Sequence, residues 1–220
     1  MVLRTEVVHA GSREALRQAV DVLRAGGLVA FPTDTVYGLA ALPWDEQAVK
    51  RLYEAKQRPA ERAIPLLLSD ASQVGRVAVL PEACRERFRK LGERFWPGAL
   101  TLVLGKTEAV PEAVSHGATV AVRVPDLPLA RALIRAAGGA LAVTSANLSG
   151  QPNPVTASEV EAQLGGRIEL IVDGGMCKGG VPSTILDCTV TPPAVLRHGA
   201  ISAEALQQVL GRVKTTQEEQ

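Results

Sequence analysis

The chain has 220 residues, and its 24 lysines and arginines nearly balance 23 aspartates and glutamates, giving a formal net charge of +1. This length supports a full hydrophobic core, arranged either as one large α/β domain or as two small ones. The near-neutral charge argues against an overall electrostatic attraction to nucleic acid, although a local basic patch stays open.

Hydrophobic residues make up 46% of the chain, but no apolar run approaches the length of a membrane span. The stretch MVLRTEVVHAGSREAL at the start lacks the apolar core of a secretory signal, so we expect a cytoplasmic protein with no membrane partner. Cys84, Cys177 and Cys188 are far apart and form no C-x-x-C motif, which favours ordinary reduced thiols. The histidines are scattered without metal-ligand spacing, so we expect no metal site built by protein side chains.

Apolar spacing predicts that helices and strands alternate along the chain. Residues 16, 19, 20 and 23 share one face of a first helix, which Gly26-Gly27 ends. In chain order we predict helix 12–24, strand 28–31, helix 45–56, strand 64–68, helix 82–91, strands 100–104 and 119–124, helix 128–137, strand 140–144, helix 156–164, strands 168–172 and 183–188, and helix 202–213. Because no composition break, repeat or linker interrupts this mixture, one α/β domain is the economical interpretation, with 214–220 as a disordered tail.

A cluster of cations lies between the second predicted helix and the strand that follows it. Lys56 ends the helix, Arg58 precedes a proline that favours extended backbone, and Arg62 follows shortly before the strand. Arginine forks and a lysine point charge could together hold the phosphates of a nucleotide. The alternative is a solvated loop in which the cations pair with Glu54 and Glu61.

Two further segments place polar groups beside strands. In TVAVRV, Thr119, Ala121 and Arg123 share one strand face, and a buried arginine there would need an anionic partner. The segment VTSANLSGQPNP at 143–154 offers small donors and close backbone approach after a strand. The alternatives are a solvated sheet face and an ordinary turn.

The remaining polar loops also adjoin predicted strands. Thr33, Asp34 and Thr35 follow strand 28–31, a Gly/Pro loop precedes strand 183–188, and Arg197 follows a short apolar run. Open α/β sheets bind ligands where such loops meet, so we expect these groups to form one pocket.

Seven segments in register resemble one family. They are PTDTVYGL, AKQRPAERAIPLLL, FWPGALTLVL, VAVRVPDLP, TSANLSGQPNP, DGG…GVPSTILD and LRHGAIS. The chain is similar to the YrdC-type threonylcarbamoyl-AMP synthases, which act in making threonylcarbamoyladenosine in tRNA. The resemblance implies a single α/β catalytic domain over 9–205 with helix 202–213 packing at its end, built on a twisted, mostly mixed sheet flanked by helices with a deep concave groove.

The activity implied by this resemblance is that of a nucleotidyltransferase. L-threonine, bicarbonate or CO2, and ATP would give threonylcarbamoyl-AMP and pyrophosphate, with Mg2+ accompanying the ATP. Downstream proteins would then transfer the threonylcarbamoyl group to tRNA. The alternative is a non-catalytic paralogue that binds structured RNA or tRNA, for which the arginine-rich segment 85–96 is the candidate surface.

The resemblance also assigns site residues. It implies catalytic roles for Lys56 and Arg58. The implied ATP-binding residues are Lys56, Arg58, Arg62, Thr119, Ser145, Asn147, Asn153 and Arg197. The implied threonine-binding residues are Thr33, Thr35, Ser69, Arg123, Val143 and Ser183.

Overall fold

The computed structural model of the protein describes residues 3–215, and a mixed β-sheet forms its centre. The strands are β1 (Glu6–His9), β2 (Val29–Phe31), β3 (Gly38–Ala41), β4 (Leu66–Leu68), β5 (Ala78–Val79), β6 (Leu100–Lys106), β7 (Thr119–Arg123), β8 (Ala140–Ser145), β9 (Leu170–Asp173), β10 (Thr184–Asp187) and β11 (Ala194–Arg197). The helices are α1 (Ala15–Arg24), α2 (Glu46–Lys56), α3 (Val74–Val77), α4 (Glu82–Phe95), α5 (Pro128–Ala136), α6 (Ala157–Leu164) and α7 (Ala203–Leu210), with a 3-10 turn at Ala71–Gln73.

The strands run across the sheet in the order β1-β9-β2-β3-β8-β4-β7-β6-β10-β11, and β5 pairs with β6 outside that path. The sheet contains both parallel and antiparallel strand pairs. For example, β7 is parallel to β4 and antiparallel to β6, while β6 is parallel to β10. The expected mixed sheet is therefore present.

The two faces of the sheet carry separate hydrophobic clusters. On one face the larger cluster joins the sheet to α2, α4 and α6, with Leu52, Leu91 and Val160 fully buried. On the other face α1 and α5 pack on strands β2, β3, β8 and β9, where Leu23 and Ile134 are fully buried. Because these two helices occupy the β9-to-β8 half of their face, the half over β7, β6 and β10 is left for a groove.

Local signals set several of the helix ends. The Asp45 side chain accepts hydrogen bonds from the backbone N–H groups of Gln47 and Ala48, which fixes the start of α2. Thr156 and Glu159 form the predicted capping box at the start of α6. These bonds satisfy backbone donors that have no partner inside a helix.

Four strands were not predicted from the pattern: β1, β3, β5 and β11. β3 reads GLAA, and glycine and alanine have low strand propensity, but its antiparallel pairing with both β2 and β8 keeps it in the sheet. Helix α4 continues to Phe95, beyond the predicted end at 91, and α7 spans only Ala203–Leu210 of the predicted 202–213. Tertiary pairing decides these elements where local preference is weak.

At the C-terminal end, the backbone of Lys214 pairs with the region of β11. Its N–H donates to the Pro193 carbonyl at 2.8 Å, and its carbonyl accepts from Val195 N–H at 2.9 Å. The disordered tail predicted for 214–220 therefore does not include Lys214, while 216–220 lie outside the described residues. Within residues 3–215, none of the helices combines the length and apolar content needed to cross a membrane.

Candidate functional site

A cavity of about 330 Å³ lies on the half of the sheet face that α1 and α5 leave open. Strand alternation builds its floor: Ala121 and Arg123 of β7 line the cavity, whereas Val120 and Val122 pack in the opposite hydrophobic cluster. Of the residues implied as ligands, the lining includes Thr33, Thr35, Arg58, Arg123, Val143, Ser145, Asn153, Ser183 and Arg197. Segments distant in the chain thus converge on one groove across the sheet face.

Arg123 is fixed at the cavity wall by hydrogen bonds from three of its nitrogens. Its Nη2 lies 2.6 Å from Asp34 Oδ1, its Nη1 donates to Thr35 Oγ1 at 3.0 Å, and its Nε donates to the Gly98 carbonyl at 2.9 Å. Only 5% of the residue is exposed. Burial lowers the pKa of Arg123, and the nearby Asp34 carboxylate opposes that change. The anionic partner that a buried arginine requires is therefore Asp34.

The loop after β2 is organised by Thr33. Its Oγ1 accepts from the N–H groups of Thr35 at 3.1 Å and Val36 at 3.3 Å, and donates to the Val36 carbonyl at 2.7 Å. Its hydroxyl is also 3.0 Å from that of Thr35. The abrupt change from apolar strand to polar turn in AFPTDT thus serves to direct Thr35 and Asp34 at Arg123.

A second arginine contacts the loop before β10. Arg197 donates through Nη2 to the Ser183 carbonyl at 2.7 Å and to Ser183 Oγ at 3.2 Å. Ser183 Oγ is in turn 2.7 Å from Thr101 Oγ1 on β6. Glycine at 199 is required nearby, because a Cβ there would lie 2.3 Å from the Pro182 carbonyl oxygen.

Arg58 reaches the cavity from the turn after α2. Gln57 adopts a left-handed backbone conformation with φ 52°, which ends the helix and redirects the chain. Arg58 then donates to the backbone carbonyls of Arg62 at 3.1 Å and Ala63 at 2.9 Å. Arg62 itself has an exposed side chain and contributes its carbonyl here.

These three arginines give the cavity a net positive charge. Burial lowers the pKa of Arg197, and the charges of Arg123 and Arg58 lower it further, so the guanidinium groups are close enough to repel one another. Among residues 3–215, Asp34 is the acidic residue that forms an ion pair with this cluster. Two guanidinium charges therefore remain unbalanced, which is an arrangement suited to an anionic ligand.

Lys56 faces the loop after β8 and does not line the cavity. Its Nζ donates to the carbonyl of Ser145, to the carbonyl of Asn147 at 2.5 Å and to Asn147 Oδ1 at 3.3 Å. The Lys56 carbonyl accepts from Ser149 N–H at 2.9 Å. Burial, with a smaller effect from Arg58, lowers the pKa of Lys56 to about 7. These hydrogen bonds hold the end of α2 and the loop after β8 together.

Asn147 also serves the loop. Its amide nitrogen donates to the carbonyls of Leu148 and Gln151 at 2.8 Å each, and its Oδ1 accepts from Ser145 Oγ at 2.5 Å. With Oδ1 also receiving Lys56, the side chain is occupied within the protein and lies outside the cavity lining. Ser145 and the exposed Asn153 do line the cavity.

Three other implied ligands lie away from the cavity. Ser69 lines a separate cavity of about 320 Å³ together with Arg131 and Arg135, and its hydroxyl donates to Asp70. Thr119 shares the cavity face of β7 but is outside the lining, and Arg62 is exposed. Ser69 is outside the lining of the groove, so its assignment to the groove has no geometric support in this structure.

The ion pair of Asp34 with Arg123 was missed in the sequence. The signal was present, because a strand-face arginine next to valines needs an anion and Asp34 sits in a polar turn after a buried strand. What sequence could not supply was the strand order that brings the start of β6, the end of β7 and the loop after β2 together.

The fold and cavity define an α/β protein that has a positively charged groove, of a size for small molecules, on one face of a mixed sheet. The chain belongs to the Sua5/YciO/YrdC family, since the family model Sua5_yciO_yrdC, described as telomere recombination, matches residues 21–199. The YrdC-like fold and the family resemblance predicted from the sequence are therefore confirmed.

Individual relatives agree with this assignment. The threonylcarbamoyl-AMP synthase of Pyrococcus abyssi is 46% identical over 200 residues, which cover 90% of this chain and 58% of the relative. The threonylcarbamoyl-AMP synthase of Vibrio cholerae El Tor is 39% identical over 187 residues, covering 84% of this chain and 98% of the relative. The crystal structure of P. abyssi Sua5 complexed with L-threonine superposes with a TM-score of 0.90 at 41% identity, covering 96% of this chain and 62% of that one. The chain thus spans less than two thirds of the P. abyssi relative.

Proposed function

We propose that this protein is an L-threonylcarbamoyladenylate synthase, which converts L-threonine, bicarbonate or CO2, and ATP into threonylcarbamoyl-AMP and pyrophosphate. The observation that carries the proposal is the convergence of Arg58, Arg123 and Arg197 with the Thr35 and Ser183 hydroxyls around one cavity. An amino acid and a nucleotide both present anions: Arg123, although paired with Asp34, can also bind a carboxylate, and the two unbalanced cations suit phosphates. The activity named for the relatives supports this choice.

Arg123 and Thr35 would form the amino-acid end of the site. A guanidinium has five N–H groups, and three of its nitrogens already donate one bond each, so two N–H groups remain for a substrate carboxylate. Val143 offers an apolar wall suited to a methyl group, and Ser183 offers a hydroxyl. The complex of P. abyssi Sua5 with L-threonine supports threonine as the amino acid.

Arg58 and Arg197 would form the nucleotide end, with Ser145 and Asn153 as further polar contacts. Forked guanidinium bonds suit phosphate oxygens. Lys56 and Asn147, to which the family resemblance assigns direct contact with ATP, act in this arrangement by holding the loop that carries Ser145. Direct contact of either side chain with ATP would require the loop bonds to open.

The reaction needs positioning and charge stabilisation rather than a protein nucleophile. The threonine nitrogen bonds to the carbon of CO2 and loses a proton, which gives a carbamate. A carbamate oxygen then bonds to the α-phosphorus of ATP while the bond to the bridging oxygen breaks and pyrophosphate leaves. Arg58 and Arg197 would offset the negative charge on the phosphates during this displacement.

Mg2+ fits the site as a companion of ATP. Within the described residues no group of three or more His, Cys, Asp or Glu side chains could hold a metal, and the Asp34 carboxylate is paired with Arg123. Mg2+ commonly keeps several waters and binds substrate phosphates with few protein ligands, so this donor set suits a metal carried by the nucleotide. Its contribution when bound would be to neutralise phosphate charge.

The arginine-rich helix gives the RNA-binding alternative little support. On α4, Arg85 pairs with Glu82, and Arg89 pairs with Glu86 and Glu93. The three glutamates offset three of the five Lys and Arg charges of this helix, which weakens the attraction for a phosphate backbone. We place the protein in the cytoplasm, upstream of the proteins that transfer threonylcarbamoyl groups to tRNA.

The test is a reaction of the purified protein with L-threonine, bicarbonate and ATP-Mg, in which pyrophosphate and threonylcarbamoyl-AMP are measured by enzymatic assay and mass spectrometry. We expect both products in equal amounts and only when threonine is present. Pyrophosphate release that ignores threonine, or no adenylate at all, would rule out the proposed function.

A further inference from the structure

Asp34 holds Arg123 from the side away from the cavity. Arg123 and Thr35 line the cavity, whereas Asp34 does not. The Asp34 side chain is 15% exposed and that of Arg123 is 7% exposed, so the pair is largely shielded from water. Asp34 therefore acts on a ligand through Arg123 and not by contact of its own.

The loop that carries Asp34 is rigidly packed. A Cβ on residue 179 would lie 2.4 Å from the Asp34 carbonyl oxygen, so only glycine permits the loop 174–180 to approach so closely. Gly180 N–H donates to the Thr35 carbonyl at 2.8 Å, and Thr33 bonds the backbone within the turn. The backbone position of Asp34 is thus fixed by contacts that do not depend on its charge.

In the proposed complex two anions compete for Arg123, the carboxylate of threonine and the phosphates of ATP. Arg58 and Arg197 line the same cavity as Arg123 and already provide guanidinium groups, and the charges of Arg123 and Arg58 each lower the pKa of Arg197. Of the three groups that hold Arg123, namely the Gly98 carbonyl, the Thr35 hydroxyl and the Asp34 carboxylate, only the carboxylate is charged. A triphosphate carries more negative charge than an amino-acid carboxylate and attracts a guanidinium more strongly. A fixed carboxylate is a direct way to stop Arg123 from turning to the phosphates.

We propose that Asp34 is a specificity-determining positioning residue, which by pairing with Arg123 reserves that guanidinium for the amino-acid carboxylate and keeps it from serving as a phosphate ligand. This inference rests on the proposed function. The pairing of Asp34 with Arg123 separates two anion subsites that would otherwise share three equivalent cations. Asp34 also lowers the net charge of the cavity by one, which limits binding of ATP in the amino-acid end.

The decisive variant is Asp34→Asn, because it removes the charge while keeping the size and an acceptor oxygen. Loss of a charge-assisted hydrogen bond that orients Arg123 should raise the KM for threonine about tenfold or more. The KM for ATP should stay the same or fall, and inhibition by inorganic pyrophosphate should strengthen. Asp34→Glu restores the charge and should recover part of the threonine affinity.

Asp126→Asn is the matched control. It removes the same charge, from a carboxylate that pairs with Arg131 at 4.0 Å outside the cavity. It should leave both KM values unchanged. Equal losses for threonine and ATP together with a lower Tm in Asp34→Asn would indicate a purely structural role and overturn the proposal, as would unchanged kinetics. The activity assay and calorimetry together separate the two claims. A wild-type protein that makes no adenylate refutes the function. An active wild type whose threonine and ATP affinities, measured by calorimetry, are unchanged in Asp34→Asn refutes only the role of Asp34.

Discussion

Replacing Lys56 by methionine should destabilise the protein through the loop after β8. Methionine keeps most of the aliphatic stem but leaves the Ser145 carbonyl, the Asn147 carbonyl and Asn147 Oδ1 without their common donor. Lys56 is only 1% exposed, so little water is available to replace the ammonium.

The size of the effect follows from two opposing terms. Asn147 Oδ1 keeps the Ser145 hydroxyl as a donor, so two buried carbonyls lose theirs, at a cost of about 4 kcal/mol at the middle of the usual range. Removal of a buried charge returns about half of that, because an ammonium is costly to take out of water. The net loss of unfolding free energy is about 2 kcal/mol, and for a chain of this length it should lower the Tm by roughly 4–8 °C.

Urea and thermal unfolding at pH 7, followed by circular dichroism, measure this loss. Lys50→Met is the matched control, because Lys50 lies on the same helix with an exposed side chain and should change the Tm little. If Lys56→Met unfolds at the same urea concentration as the wild type, the ammonium does not stabilise the loop, and the stabilising role of its hydrogen bonds is wrong.

Two further predictions use the same structure. Burial lowers the pKa of Lys56 to about 7 from 10.5, so above pH 7 the unfolded chain binds more protons than the folded one. The unfolding free energy should therefore rise with pH, by at most about 1.4 kcal/mol per pH unit between pH 7.5 and 9. Urea titrations of the wild type and Lys56→Met check this, and a constant difference between their unfolding free energies across that range would contradict it. Arg197→Met should weaken ATP binding, measured by calorimetry, by about tenfold or more through loss of a charged phosphate contact. The control Arg131→Met, at the separate cavity, should bind ATP as the wild type does. Equal ATP affinities of Arg197→Met and wild type would show that Arg197 does not face the nucleotide.

Much of the groove could be predicted from the sequence. The alternation in TVAVRV identified the strand face of Arg123, and the structure has Ala121 and Arg123 on the cavity side with the valines in the core. The family resemblance named further residues that do line one cavity, including Arg58, Ser145, Asn153 and Arg197. Their contacts with ligands remain predictions.

Other features depended on tertiary structure that no local pattern carries. The run GLAA has the composition of a turn or helix, and becomes a strand because β2 and β8 pair with it on both sides. Lys56 resembles a free cation in sequence, but three loop oxygens lie in reach once β8 is placed next to the end of α2. Likewise, no pattern indicates that the chain after Leu68 takes Ser69 to a different cavity.

The alternation along β7 has a consequence for how this gene can change. From Val120 to Arg123 each side chain of the strand belongs either to the core or to the groove, and inserting or deleting a single residue would exchange the two sets. Such a frame-preserving length change would drive a guanidinium into the hydrocarbon interior and turn a valine toward the ligand. Natural variation within this strand should therefore consist of replacements, with gains and losses of residues confined to the loops on either side.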